Sequence, residues 1–192
     1  MIPMVAELEI RKKYSKGLQR KQYITTAVIH GAGVVDSAEK LIKWMLSGER
    51  KKDYERSIGL FHYAICKDGT VYEIINPEFW TFHSNSGIFD EHTIGIELIN
   101  GNSMNYNNYT EEQYQSLFDL IFNKLKVDYP TLKSIASHGR LKEKHSGMYK
   151  YCPGNFDWQK LEDYMAQNNY SFQHNDDYES YWRIEHGKRR GE

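Results

Sequence analysis

The chain has 192 residues, of which 40% are hydrophobic, so its length and composition suit one domain of ordinary size with a buried core. It carries 25 basic and 26 acidic residues, which give a formal net charge of −1. This near balance argues against nucleic acid as a partner, because no overall positive field would attract a polyanion. The two cysteines are too few for a disulfide framework.

The first ten residues lack the pattern of a signal peptide, which is a basic start followed by an apolar stretch and a small-residue cleavage site. No part of the sequence approaches the roughly 18 consecutive apolar residues that a membrane-spanning helix requires. We therefore expect a protein that is made in the cytoplasm and does not insert into a membrane.

The first predicted strand covers residues 23–30, a segment rich in β-branched and aromatic residues that runs into Gly31-Ala32-Gly33. His30 is the last residue of this predicted strand. A helix capped by Asp36 or Ser37 is predicted to run to about residue 47, because its apolar residues recur at helical spacing and Gly48 follows it. The first candidate functional residue therefore lies at the end of a buried strand.

Two further strands are predicted over residues 59–66 and 70–75, with the turn sequence Asp68-Gly69 between them. This arrangement is typical of an antiparallel hairpin. Another strand is predicted over residues 93–100, in which the isoleucine and leucine side chains share one face and Glu97 lies on the other. The face that carries Glu97 is a candidate functional surface.

A long helix is predicted from Thr110, which begins a capping box, to about residue 128. Pro130 prevents its continuation. A short apolar strand over residues 133–137 then ends at His138. A second candidate functional residue thus follows a predicted strand.

A last helix is predicted over residues 158–167, with Asp157 as its N-terminal cap. Strands interleaved with helices, including one hairpin, predict an α/β fold with a mixed central β-sheet flanked by helices. We divide the chain into an N-terminal extension over residues 1–22, one domain over residues 23–167, and a C-terminal tail or short helix over residues 168–192.

His30, His138 and Cys152 are the strongest candidates for a functional site. The two histidines follow predicted strands, which places them at one rim of the sheet, and Cys152 precedes a Pro-Gly turn. Imidazole and thiolate are zinc ligands, and three protein ligands leave a fourth position for water. The sequence therefore predicts a catalytic zinc site. His145 is a rival to His138, but it lies in a polar loop, whereas a strand would fix His138.

Five segments, taken in chain order, resemble the type 2 N-acetylmuramoyl-L-alanine amidase family. The family includes phage lysozyme-like amidases, cytosolic muropeptide amidases and peptidoglycan recognition proteins. The resemblance covers about residues 23–165. The segments are Ala27-Val28-Ile29-His30, Lys67-Asp68-Gly69-Thr70, Thr93-Ile94-Gly95-Ile96-Glu97-Leu98, Ser137-His138-Gly139 and Lys150-Tyr151-Cys152-Pro153-Gly154.

The resemblance implies a zinc-dependent hydrolase that cleaves the amide bond between the lactyl group of N-acetylmuramic acid and L-alanine. By position, His30, His138 and Cys152 match the zinc ligands of the family. Glu97 matches the catalytic glutamate of the muropeptide-amidase branch, and Lys150 matches the lysine of the family. In this scheme the zinc-bound water attacks the amide, Glu97 transfers its proton and Lys150 stabilises the oxyanion.

The resemblance also bears on the loop before the strand of Glu97. His83 matches a histidine that follows a tryptophan in many members but follows a phenylalanine here. We expect Trp80, His83 and Asn85 to contact the peptidoglycan or muropeptide substrate, with support of the metal site as the alternative role of His83. Phe61 stands where the phage branch has a tyrosine, so the acid–base role falls to Glu97.

Two functions are compatible with the resemblance, an active amidase and a non-catalytic peptidoglycan-binding module. The full ligand set together with Glu97 and Lys150 favours the enzyme, because a binder needs neither. An amidase of this kind is either a phage or prophage endolysin, which reaches the cell wall after release, or a recycling enzyme acting on imported muropeptides. Cys152 favours the first setting and Glu97 the second. We favour the endolysin because no signal peptide is evident and the tail is unusual.

Overall fold

The computed structural model describes residues 19–32, 35–46, 61–84, 87–101, 109–141 and 152–174. The strands are β1 Thr26–Ala32, β2 Tyr63–Ile65, β3 Val71–Glu73, β4 Thr93–Ile99, β5 Ser134–Ser137 and β6 Gln173–His174. The helices are α1 Ala38–Leu46, α2 Gly87–Asp90, α3 Glu111–Phe118, a π-helical segment Asp119–Leu125, α4 Lys126–Asp128 and α5 Trp158–Gln167.

The six strands form one sheet in the order β3-β2-β4-β1-β5-β6. Neighbouring strands are parallel, except that β3 runs antiparallel to β2. Parallel strands require crossover connections, and helices supply them here. This arrangement confirms the predicted α/β fold with a mixed central sheet.

Side chains alternate across β1 and β4, so each strand contributes to both faces of the sheet. One face packs against the long helical stretch and α5 and forms the main core. This core includes Ala27, Ile29, Ile94, Ile96, Leu98, Leu117, Ile121, Phe122, Leu125 and Leu161. On the other face Leu41 of α1 packs with Ala32 and Ile99. The second face also carries His30 and Glu97, which are opposite each other in the register of the two strands.

The first strand differs from its prediction at both ends. It begins at Thr26 and extends through Ala32, two residues beyond His30, because Gly31 and Ala32 keep pairing with β4. His30 therefore lies within a strand rather than at its end. A glycine after an apolar run does not end a strand when a neighbouring strand still pairs with it, as β4 pairs with Gly31.

The predicted helix caps are confirmed. The Thr110 side chain accepts a hydrogen bond from the Gln113 backbone N–H and the Gln113 side chain bonds back to Thr110, which completes the capping box. Asp157 caps α5 through bonds from the N–H groups of Gln159 and Lys160. The π-helical segment between α3 and α4 is not predicted from the sequence, because its apolar residues follow ordinary helical spacing.

Residues 168–174 add to the fold. The Tyr170 ring stacks on Phe122 and the Phe172 ring meets it edge-on, with centroid distances of 4.5 and 5.0 Å. Gln173–His174 then pairs with β5 as a sixth strand, which the sequence pattern does not predict. Within the described parts of the chain, no helix has the length and hydropathy needed to cross a bilayer.

Candidate functional site

His30, His138 and Cys152 come together as predicted. Their ligand atoms all lie within 4.8 Å of one another, and each residue is at most 6% exposed. His30 is in β1 and His138 directly follows β5, so the pairing of these two parallel strands brings both imidazoles to the same edge of the sheet. Their ring centroids are 4.5 Å apart.

Local hydrogen bonds hold the other two members of this cluster. The Ser137 hydroxyl accepts a bond from the Arg140 N–H at 2.9 Å. This is the pattern of a helix N-cap, and residues 138–141 are helical, so the strand ends just before His138. The Gly139 N–H donates to the Cys152 carbonyl at 2.7 Å, which joins the two segments directly.

The donor set suits zinc better than a hard cation. Two imidazoles and one thiol are nitrogen and sulfur ligands, whereas Mg²⁺ and Ca²⁺ prefer oxygen ligands. Burial shields the three side chains from bulk water. The residues present therefore fit a zinc ion with three protein ligands. His145, the rival to His138, lies outside the described residues.

Glu97 lies beside the cluster. It is in register with His30 across the β1–β4 pair, and its Oε1 is 4.0 Å from His30 Nδ1. The side chain is buried on the same face of the sheet as the histidine. If a metal were bound by the cluster, a carboxylate at this distance from His30 could exchange a proton with a water in the fourth coordination position. Lys150, the predicted oxyanion partner, lies outside the described residues.

His83 is buried and contacts a ligand candidate directly. Its Nδ1 is 2.9 Å from His30 Nε2, and its Nε2 is 2.8 Å from Thr93 Oγ1. The Trp80 ring is half-buried and packs on Phe82 with centroids 4.5 Å apart. Its contact with the substrate remains a prediction. Asn85 lies outside the described residues.

Two histidines near the site are held neutral. Burial lowers the pKa of His83 well below its ordinary value, and the neighbouring His62, His138 and Arg20 lower it further. Burial also lowers the pKa of His62 to about 3, with Arg20 adding to the effect. Each ring at neutral pH therefore has one nitrogen that donates and one that accepts a hydrogen bond.

His62 has a structural role. Its Nδ1 accepts a hydrogen bond from the Gly95 N–H at 2.9 Å, and its Nε2 lies 3.0 Å from the Phe79 carbonyl. The sequence leaves open whether this histidine is structural or functional. The two backbone contacts assign it to fixing the loop before β4 against the sheet.

Arg20 also supports the site. Its guanidinium donates to the carbonyls of Pro77 at 2.8 Å and Thr93 at 2.9 Å, and also bonds the carbonyl of Glu91. Burial lowers its pKa to about 10. Arg20 therefore anchors the loop that carries His83. The sequence carries no signal for this role, because the partners are backbone carbonyls.

The fold and the site define an α/β protein with a buried His-His-Cys cluster and an adjacent carboxylate at the carboxyl edge of its parallel strands. The model of the N-acetylmuramoyl-L-alanine amidase family matches residues 20–155, and the chain belongs to this family. The family predicted from the five sequence segments is thereby confirmed. No curated protein matches the chain.

Solved structures share the fold. The N-acetylmuramoyl-L-alanine amidase LysC from Clostridium intestinale URNW is 23% identical, with a TM-score of 0.60 over 82% of this chain and 93% of that one. A selenomethionine derivative of AmpD is 19% identical, with a TM-score of 0.57 over 74% and 84%. Drosophila peptidoglycan recognition protein SD is 18% identical, with a TM-score of 0.56 over 85% and 95%.

Proposed function

We propose that the protein is a zinc-dependent amidase that cleaves the bond between the lactyl group of N-acetylmuramic acid and L-alanine. Membership of the amidase family supports the class of reaction. The observation that carries the proposal is the position of Glu97, which lies 4.0 Å from His30 beside the three clustered ligand candidates. A module that only binds peptidoglycan needs no buried carboxylate there.

In this proposal His30, His138 and Cys152 hold the ion. The chemistry that zinc supplies when bound is a coordinated water of lowered pKa and polarisation of the substrate carbonyl. Glu97 accepts the proton of the attacking water on a carboxylate oxygen and delivers it to the leaving amine of L-alanine. Its burial strengthens this role, because charges interact more strongly where water is excluded. Lys150 is proposed to stabilise the oxyanion of the substrate.

Phe61 supports the assignment of the acid–base role to Glu97. The Phe61 ring packs edge-on against His30, with centroids 5.3 Å apart, and has no hydroxyl group to donate. Glu97 places a carboxylate beside His30, and this group can both accept and return a proton. The predicted shift of the acid–base role from position 61 to Glu97 thus agrees with the geometry.

The setting that we propose is a phage or prophage endolysin acting on the intact cell wall. The likeness to a solved endolysin N-acetylmuramoyl-L-alanine amidase, LysCS from Clostridium intestinale URNW, and the cysteine at position 152 support this choice. Glu97 and the likeness to AmpD support a recycling enzyme as the second candidate. The two settings differ in substrate size, since one requires polymeric peptidoglycan and the other small soluble muropeptides.

The test compares purified sacculi with small anhydro-muropeptides as substrates. We expect the protein to release stem peptides with a free L-alanine amino group from sacculi, to lose this activity with a chelator and to regain it with Zn²⁺. Activity that survives complete chelation would contradict the zinc mechanism. Faster cleavage of the soluble muropeptides than of sacculi would assign the protein to recycling instead.

A further inference from the structure

A second layer of contacts lies behind His30. His83 Nδ1 is 2.9 Å from His30 Nε2, and on its other side His83 Nε2 is 2.8 Å from Thr93 Oγ1. Asp90 Oδ1 lies 3.6 Å from the same Nε2. The Asp90, His83 and His30 side chains thus form a row that ends at the proposed metal site.

The carboxylate at the start of this row decides where the proton of His83 lies. Asp90 Oδ1 accepts hydrogen bonds from the Ser84 N–H at 2.9 Å and the Ser84 hydroxyl at 2.7 Å, which favours its charged form. A negative charge next to Nε2 favours the proton on that nitrogen, where it can also be donated to Thr93 Oγ1. Nδ1 of His83 is then the acceptor.

The tautomer of His83 in turn determines the tautomer of His30. With His83 Nδ1 as acceptor, the hydrogen bond to His30 requires the proton of His30 on Nε2. The lone pair of His30 is then on Nδ1, the nitrogen that lies 4.0 Å from Glu97 Oε1. A metal ligand must present such a lone pair, and its second nitrogen is usually held by a hydrogen-bond acceptor.

The backbone of β4 makes room for this row. A Cβ atom added at Gly95 would lie 2.6 Å from His83 Cγ and 2.9 Å from His83 Cβ, closer than packed carbon atoms approach. Glycine in the middle of a strand weakens it and often marks a close approach of another group. The approaching group here is the His83 side chain, which would be displaced by any larger residue at position 95.

We propose that His83 is a positioning residue that sets His30 in the tautomer with its Nδ1 lone pair available to the metal. This inference rests on the proposed zinc-dependent function. Of the two roles expected for His83, it favours support of the metal site over contact with the substrate. Two properties follow that can be measured separately, the tautomer of each ring in the metal-free protein and the affinity of the site for zinc.

The tautomers can be read without metal. Long-range ¹H–¹⁵N spectra of the full-length, chelator-treated protein are expected to show both His83 and His30 protonated on Nε2. Protonation of His30 on Nδ1 would overturn the proposal. This measurement does not depend on activity or on zinc, so its outcome is separate from that of the amidase assay.

Zinc affinity tests the consequence. Competition against a chromophoric chelator is expected to show a loss of about 10–100-fold for His83→Ala, the usual effect of removing a group that orients a metal ligand. His83→Asn should recover most of this loss, because its amide oxygen offers an acceptor near the position of Nδ1. His92→Ala removes a histidine outside the row and serves as the matched control, which is expected to bind zinc like the wild type.

Folding of each variant is checked by thermal unfolding of the metal-free protein. Thr93→Val keeps the volume of position 93 and removes only the hydroxyl partner of His83, so it provides a second variant if His83→Ala does not fold. It should weaken zinc binding less than His83→Ala does. Affinities of both variants within threefold of the wild type would overturn the proposal. Absence of zinc binding by the wild type would instead refute the proposed function.

Discussion

The two faces of β1 and β4 are built from alternate residues of the same segments but depend on different forces. On one face Ile29 and Ile94 pack in a hydrocarbon core. On the other, His30 and Glu97 lie in a buried polar cluster. Apolar packing tolerates changes of shape at moderate cost, whereas a buried polar group needs its partner. Substitutions on the first face should alter stability, and those on the second should alter metal binding and turnover.

The largest effect is expected from a proposed metal ligand on the polar side. Cys152→Ala removes the thiolate from the cluster, so bound zinc and amidase activity should both fall to background. Metal content by mass spectrometry and release of stem peptides are the measurements. Cys66→Ala is the matched control, because Cys66 is the other cysteine of the chain and is half-buried among apolar side chains. Zinc retained by Cys152→Ala would exclude this residue as a ligand.

The second-largest effect is expected at Glu97, where a substitution should lower turnover without lowering metal binding. Glu97→Gln keeps the shape of the side chain but removes its ability to take up a proton, so turnover should fall by about 10²–10⁴-fold while zinc content stays at the level of the wild type. Glu112→Gln changes an exposed glutamate of α3 and should have no effect. If the Glu97 variant hydrolyses sacculi at the normal rate, a different group must transfer the proton.

The apolar face should give the opposite result. Ile94→Ala removes buried methyl groups from the main core and should lower the free energy of unfolding by about 2–5 kcal/mol, measured in urea. Turnover per folded molecule should stay unchanged below the unfolding transition, because Ile94 points away from the polar cluster. A loss of activity larger than the loss of folded protein would show that the two faces are not independent.

Sequence patterns predict the main residues of both faces but not the contacts that support the site. Period-two alternation finds the core positions of β4, and ligand chemistry finds His30, His138 and Cys152, because both signals lie in residue types and local spacing. The contacts of Arg20 leave no such signal in the sequence. The guanidinium donates to the backbone carbonyls of Pro77 and Thr93, which lie 57 and 73 residues away along the chain. A two-residue strand such as β6 has no periodicity to detect. The supports of the site depend on the tertiary fold.

A smaller effect tests the glycine that makes room for His83. Gly95→Ala should cost about 1–3 kcal/mol of stability, because the new methyl group overlaps the His83 side chain. In a His83→Ala background the same substitution should cost much less, since the overlapping atoms are gone. Urea unfolding of the four proteins in this double-mutant cycle measures the coupling. Equal costs in both backgrounds would show that the overlap is relieved elsewhere.

The smallest effect is the pH dependence that His62 adds to the polar face. The pKa of this histidine is about 3 in the folded protein and 6.5 in an unperturbed chain. Above pH 6.5 His62 is neutral in both the folded and the unfolded state, so its contribution to the free energy of unfolding is fully present. Between pH 6.5 and 3 His62 binds a proton in the unfolded chain but not in the folded protein. The free energy of unfolding therefore falls as the pH falls. His62→Asn keeps an acceptor for the Gly95 N–H but does not titrate. Between pH 7.5 and 5.5 the metal-free wild type should therefore lose about 1.4 kcal/mol more than this variant in urea unfolding. Parallel pH profiles for the two proteins would mean that His62 gains its proton in the folded state as easily as in the unfolded chain.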